Sequence, residues 1–189
     1  MGEKPIAAGK SSFDLVDPQK IFDELEFKEG TLFLDAACGS GKYSLKAAEM
    51  MADKGAIFAF DLWGDGIVEL QQQATTMGRD NIWACVANIS RHIPLPDGMV
   101  DICLLATVLH DLVQTGEAQD AVTEIRRVLK PGGILAVIEF KKIEGPPGPP
   151  MKIRLTADRT EQFLNPLGFN LARVIEVGPY NYLSRFYAR

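Results

Sequence analysis

The run Asp35-Ala36-Ala37-Cys38-Gly39-Ser40-Gly41 carries two glycines one residue apart, just behind a short apolar stretch. Glycine lets the chain bend sharply and lets a ligand approach the main chain. Loops of this type hold nucleotides. Ser44 stands where a dinucleotide fingerprint would place its third glycine. Asp61 lies twenty residues beyond Gly41. A carboxylate at that distance accepts hydrogen bonds from both hydroxyls of a ribose and repels a phosphate at the same spot. The plainer alternative is an exposed acid capping a helix that begins near Asp65. Asn88 offers a donor and an acceptor to the edge of an adenine ring, and fits a turn equally well. His110 follows the fourth apolar run and has the chemistry of a general base, with an ordinary pKa of about 6.5. A histidine bonded to local backbone at a strand–helix junction is the competing reading. Tyr180 and Tyr182 are candidate acceptor-side hydroxyls, or else aromatic packing partners of Phe186 and Tyr187.

The elements that must position these residues follow from hydrophobic periodicity. Strand-like runs cover Leu32–Cys38, Ala56–Leu62, Ile82–Asn88, Val100–Thr107 and Ile134–Phe140. Helical spacing appears over Tyr43–Asp53, then at Ile67, Leu70, Ala74 and Met77, and again from Ala118 to Leu129. Thr115 is the expected cap of that third helix, and Pro131-Gly132-Gly133 its stop. Asp17 caps a short early helix with Pro18 at its first position. A last helix spans Ala157–Leu167, and two strands, Leu171–Val177 and Tyr182–Ala188, flank the turn Gly178-Pro179-Tyr180-Asn181. Alternating strands and helices imply a parallel sheet with helices on both sides. Ligands then bind beyond the carboxyl ends of the strands, where the strand order reverses. Asp61, Asn88 and His110 all fall just after strand-like runs.

The 189 residues fit one domain, with residues 1–30 as an N-terminal cap segment and 141–157 as a Pro/Gly-rich lid or stiff connector. Hydrophobic residues at 47% and charged residues at 24% exclude a disordered or disulfide-framework chain. A net charge of −5 speaks against a dedicated nucleic-acid binder. Three cysteines without framework spacing fit a reducing, cytoplasmic setting, and no apolar run approaches the ~20 residues of a membrane helix. Cys85 and Cys103 read as core thiols, and Cys38 as a small residue in the glycine loop. His92 reads as a surface turn residue.

Taken together, the motifs resemble the class I S-adenosylmethionine-dependent methyltransferases, in particular their type 11 and quinone-biosynthesis-like branch. Asp35-Ala36-Ala37-Cys38-Gly39-Ser40-Gly41 is similar to the family's first motif, and Asp61 stands at its ribose acid. Leu95-Pro96-Asp97-Gly98-Met99-Val100-Asp101 resembles its lead into strand four. Arg126-Arg127-Val128-Leu129-Lys130-Pro131-Gly132-Gly133 resembles its helix-to-strand-five signature. The resemblance covers Thr31–Phe140 and extends more weakly through the closing hairpin. One departure is Ala87-Asn88-Ile89, where the family usually has Gly-Asp-Ala.

The resemblance implies an α/β three-layer Rossmann-like sandwich. Its seven-stranded, mostly parallel sheet would run in the order 3-2-1-4-5-7-6, with strand 7 antiparallel. It also implies S-adenosyl-L-methionine as cofactor. Gly39 and Gly41 would approach the methionine part, Asp35 its ammonium group, Asp61 the ribose, Leu62 the adenine face and Asn88 the adenine edge. Ile89 and Thr107 complete the expected cofactor-side set. His110 and Tyr180 are the candidate catalytic groups, the acceptor is a small molecule, and no metal is expected. The alternatives are a nicotinamide-dependent oxidoreductase using the same glycine loop, and a non-catalytic regulator that keeps the cofactor pocket.

Overall fold

The computed structural model describes residues 9–51, 55–145 and 147–189. Seven strands form one sheet: β1 (Leu32–Ala36), β2 (Ala56–Asp61), β3 (Ile82–Val86), β4 (Val100–Ala106), β5 (Leu129–Phe140), β6 (Phe169–Glu176) and β7 (Asn181–Ala188). Their order is β3-β2-β1-β4-β5-β7-β6. Strands β1 to β5 pair in parallel, and β7 runs antiparallel to both neighbours. The expected order and the antiparallel β7 are therefore both present. The direction of winding reverses between β1 and β4, which opens a crevice beyond their carboxyl ends.

The central strands are apolar on both faces because both faces are covered. In β1 and β4 the side chains alternate. Phe33, Ile102 and Leu104 pack with α1 (Pro18–Leu25) and α2 (Lys42–Met51). Leu34, Cys103 and Leu105 pack on the other face with α4 (Leu109–Thr115) and α5 (Ala118–Val128), which α6 (Ala157–Leu164) joins through Leu164. The helix α3 (Gly64–Thr76) lies over β2 through Ile67, Leu70 and Ala74. Leu104 is fully buried at the centre, so truncating it to alanine costs about 2–5 kcal/mol. Asp17 caps α1 as expected, its Oδ1 accepting the Gln19 N–H at 3.0 Å, with Pro18 at the first position.

Three local expectations need correction. A separate helix, α4, follows β4, and Thr115 is its last residue rather than the cap of α5. The Thr115 hydroxyl donates instead to the Leu112 carbonyl at 3.2 Å. Lys130-Pro131-Gly132-Gly133 does not follow a helix directly. The helix α5 ends at Val128, and the tetrapeptide bulges within β5 between the partners of Val100 and Ile102. Proline is tolerated there because the ladder is already interrupted. Finally, Cys85 is exposed on the edge strand β3, while Cys38 and Cys103 are the buried thiols.

Two of the sequence motifs turn out to be fastenings. Arg127 on α5 binds the Ile93 and Leu95 carbonyls at 2.8 and 2.9 Å, and pairs with Glu124 and Asp97 at 2.7 Å each. Glu124 in turn accepts the Ile93 N–H at 2.9 Å. This clasp fixes the loop between β3 and β4. Asp101 pairs with Lys130 at 2.6 Å and accepts the Leu32 N–H at 2.8 Å, joining the starts of β1, β4 and β5.

Candidate functional site

The carboxyl ends of β1, β2, β3 and β4 surround one cleft, partly open to solvent. Six of the expected cofactor residues line it: Gly39, Asp61, Leu62, Asn88, Ile89 and Thr107. Asp35 and Gly41 do not. Gly41 sits beneath the loop at φ +75°, where an added Cβ would fall 2.4 Å from a Leu70 methyl. Gly39, at φ +58°, would meet nothing within 4 Å; its missing side chain belongs to the open space. Ala37 (φ 60°) and Thr107 (φ 53°) are left-handed without being glycine. Each such residue stores about 1–3 kcal/mol of strain. Both follow directly on strands at the crevice, β1 and β4, where that strain bends the chain out of the sheet.

Asp61 ties the site together. Its Oδ2 accepts the Gly39 N–H at 2.8 Å, and its Oδ1 accepts the Trp63 N–H at 2.7 Å. The glycine bend and the acid therefore face one place. Each carboxylate oxygen keeps a further lone pair, the donor-free arrangement that a sugar diol needs. Leu62 beside it is 53% exposed and, like the Asn88-Ile89 turn, lines the cleft. The Asn88 Oδ1 accepts the Ser90 N–H at 2.8 Å. The oxygen keeps a second lone pair and the amide NH2 stays free to donate, so Asn88 can offer both an acceptor and a donor to the edge of an adenine ring.

Asp35 lies below this floor. It is almost wholly buried and accepts the Ser44 hydroxyl at 2.6 Å. Burial raises its pKa to about 7 against the lowering effect of Ser44, and the nearby Asp61 charge raises it further. Ser44, where a dinucleotide fingerprint would have glycine, thus has a structural partner.

The sequence points to residues 1–30 as a cap segment but singles out none of its cleft residues. Lys10 lines the cleft. The Thr107 hydroxyl lies 3.1 Å from the buried Ser12 Oγ, which lies 2.9 Å from the Tyr43 hydroxyl. Hydroxyls 95 and 31 residues apart in sequence leave no periodic signal. Ala37, Trp63, Ser90, Val108, Leu112 and Glu117 complete much of the wall.

The acceptor-side candidates are dispersed. His110 is 4% exposed, and its Nδ1 lies 2.7 Å from the Glu139 Oε2. Its side-chain partner is thus a carboxylate from β5 rather than the local backbone. Burial disfavours charge on the ring, but the Glu139 hydrogen bond and charge outweigh it, with help from Asp111. The His110 pKa is raised despite the opposing Arg154. Tyr180 lines a separate shallow cleft with Asp14–Asp17, Gly178 and Pro179. Tyr182 is buried, its hydroxyl bonded to Thr160 at 3.1 Å and to the Leu155 carbonyl at 3.0 Å, so it is committed to packing. His92 is exposed, 3.5 Å from Glu124.

The Pro/Gly-rich segment is held from within. Arg154, 4% exposed, donates to the carbonyls of Lys141, Ile143, Gly145, Pro147 and Pro149 at 2.9–3.1 Å. Its guanidinium lies 5.7 Å from the Phe140 ring centre. Five carbonyls on one cation make this a fixed coil. A further cleft at the amino ends of β1 and β4 is lined by charges that pair among themselves, Lys130 with Asp101 and Arg185 with Glu26.

The model of the ubiE/COQ5 methyltransferase family matches residues 15–179. A demethylmenaquinone methyltransferase of Lactiplantibacillus plantarum is 30% identical over 115 residues, 60% of this chain and 46% of its own length. A ubiquinone/menaquinone biosynthesis C-methyltransferase UbiE of Francisella tularensis subsp. novicida is 30% identical over 121 residues, 61% of this chain and 45% of its own. This chain thus matches less than half the length of these relatives. The crystal structure of a SAM-dependent methyltransferase from Aquifex aeolicus superimposes with a TM-score of 0.85 at 28% identity, covering 98% of this chain and 95% of that one. The [4+2]-cyclase SpnF, at 20% identity and TM-score 0.76 over 90% of this chain and 79% of its own, shares the fold alone. With a family match that runs from before β1 to the turn between β6 and β7, the chain belongs to the ubiE/COQ5 methyltransferase family.

Proposed function

We propose that this protein transfers a methyl group from S-adenosylmethionine to a small acceptor of the quinone class, in its reduced, hydroxyl-bearing form. One observation carries the reading: the bend at Gly39 is bonded directly to Asp61 at the open end of the sheet, within a cleft that Leu62, Asn88, Ile89 and Thr107 complete. Asp61 would hold the ribose, Leu62 and Ile89 the faces of the adenine, and Asn88 its edge. Ala37 and Gly39 would leave room for the methionine part beside Lys10 and Thr107. Asp35 supports this arrangement from below through Ser44. When bound, the cofactor supplies a methyl on a sulfonium with a neutral thioether as leaving group.

The protein's share is then alignment, for which effective molarities are worth about 7–11 kcal/mol, more than a general base provides. His110 is the base we assign. Residues 1–30 act as a cap over the cleft through Lys10 and Ser12, within a single cofactor-binding domain. The quinone acceptor rests on the names of the two relatives. Among the described residues no helix is long and apolar enough to cross a membrane; with one exposed and two buried free cysteines, we place the protein in the cytoplasm.

Calorimetric titration with S-adenosylhomocysteine and with NAD tests the cofactor. Micromolar binding of the first and none of the second is expected; the reverse would sink the proposal. Mass spectrometry of a short-chain demethylmenaquinol incubated with protein and cofactor tests the acceptor, with a gain of one methyl expected. An unchanged quinol would reject that acceptor class.

A further inference from the structure

Glu139 is the penultimate residue of β5 and is wholly buried. A carboxylate so placed is costly unless its lone pairs are filled. Here they are filled chiefly by one residue of another element. Oε1 accepts the His110 main-chain N–H at 3.1 Å, Oε2 faces the His110 Nδ1 at 2.7 Å, and the Phe140 N–H adds a longer bond at 3.3 Å. A carboxylate only accepts, so Nδ1 carries the proton. The lone pair of the neutral ring is therefore on Nε2.

The ring is held in one orientation. Phe140 meets it edge-on, with centroids 6.3 Å apart and planes at 77°. The Asp111 Oδ1 lies 3.6 Å from Nε2, too far for a hydrogen bond. The charged groups around the ring are Glu139 from β5, Asp111 from α4 and Arg154 from the coil ahead of α6. Val108 and Leu112, two residues to either side of His110, both line the cleft. The backbone at His110 thus runs along the wall of the cofactor cleft, while the charge of Arg154, which gathers the coil ahead of α6, acts on the ring.

We propose that Glu139 is a positioning residue: it fixes the His110 proton on Nδ1 and leaves Nε2 as the proton acceptor in methyl transfer. This rests on the methyltransferase reading above. One proton moves in the step. The bond from the acceptor atom to its hydrogen breaks, and Nε2 forms the new bond to that hydrogen. The acceptor's electron pair then bonds the methyl carbon, whose former bond to sulfur leaves its pair on sulfur. The ring becomes imidazolium beside Glu139, which stabilises that charge as it forms.

The chain has two histidines, so a His92→Asn background isolates the His110 signals in long-range proton–nitrogen NMR of the full protein. Four results are expected. At high pH the ring carries its proton on Nδ1. It titrates above the ordinary value, as Glu139 and Asp111 require. In Glu139→Gln, which removes a charge 2.7 Å away, the titration falls by about 1–3 units. The rising limb of kcat against pH for the short-chain demethylmenaquinol follows the same shift toward acid. A proton found on Nε2, an unmoved titration in Glu139→Gln, or a rate limb that stays in place while the titration moves would each overturn the proposal. If Glu139→Gln does not fold, the tautomer and titration of the His92→Asn protein still decide it. Loss of S-adenosylhomocysteine binding in the parent protein would count instead against the methyltransferase reading, independently of the tautomer.

Discussion

Replacing Asp61 with alanine separates two roles that one carboxylate combines. Without ligand, Asp61 accepts two main-chain N–H groups, from Gly39 at 2.8 Å and Trp63 at 2.7 Å. Hydrogen bonds to a charged group contribute about 1.5–3 kcal/mol each. The residue is partly exposed, so the lower end applies, and the ligand-free variant should lose about 3 kcal/mol. Urea unfolding followed by circular dichroism measures this. With ligand, two ribose hydroxyls also lose their charged acceptor. At about 1.4 kcal/mol per tenfold, the loss of one such bond weakens S-adenosylhomocysteine binding at least tenfold, and of both about a hundredfold. Calorimetry at a temperature where both proteins are folded reads that loss separately from stability. Asp61→Asn is a sharper probe: its single oxygen can satisfy Gly39 or Trp63 but not both, so its stability should lie between the parent's and alanine's. A destabilised Asp61→Ala protein that binds the ligand with unchanged affinity would show that Asp61 is only a staple between loops, and the ribose assignment would fail. Unchanged stability would contradict the geometry itself.

Four further outcomes are expected. Asp35 has a folded-state pKa raised from 3.8 to about 7. Its contribution is complete below pH 3.8 and is lost as pH rises through 7, so Asp35→Asn should gain thermal stability relative to the parent across that window, more at pH 8 than at pH 5. Glu124 behaves oppositely: chiefly through its Arg127 hydrogen bond its pKa is lowered from 4.5 to about 2. Its contribution is present above 4.5 and is lost as pH falls toward 2, and Glu124→Gln should flatten the acid limb of a stability–pH curve there. Arg154→Lys replaces a planar five-donor group with a point charge and should free the coil at 141–153 to limited proteolysis; an unchanged digestion pattern would contradict its role as the centre of that coil. Ser12→Ala or Tyr43→Phe should weaken S-adenosylhomocysteine binding a few-fold by calorimetry, because the Thr107–Ser12–Tyr43 chain ties the N-terminal segment to the cleft.

Features carried by local pattern were legible in the sequence. Two glycines, an acid twenty residues on and an asparagine after the third strand are sequential markers of strand ends, and the structure places Gly39, Asp61 and Asn88 on one cleft. The helix α4 was missed because Leu109, Leu112 and Val113 continue the apolar run of β4, and a seven-residue helix has too few turns to show a period. Cys85 looked internal because an edge strand and a central strand can share composition; only the sheet order exposes it. Glu139, Arg154 and the bonds from Arg127 to the Ile93 and Leu95 carbonyls were out of reach for another reason. Their partners lie on separate elements or follow a coil path, as when Glu139 meets a histidine 29 residues away. No short-range rule encodes such pairs.

The proposed cofactor site requires the bend at Gly39 and the carboxylate of Asp61 to enclose one adenosine. The direct test is a crystal structure of the protein grown with S-adenosylhomocysteine. The ribose hydroxyls should lie within hydrogen-bonding distance of the Asp61 oxygens, and the adenine should lie between Leu62 and Ile89. An adenosine bound elsewhere, or one whose ribose turns away from Asp61 within the cleft, would contradict it.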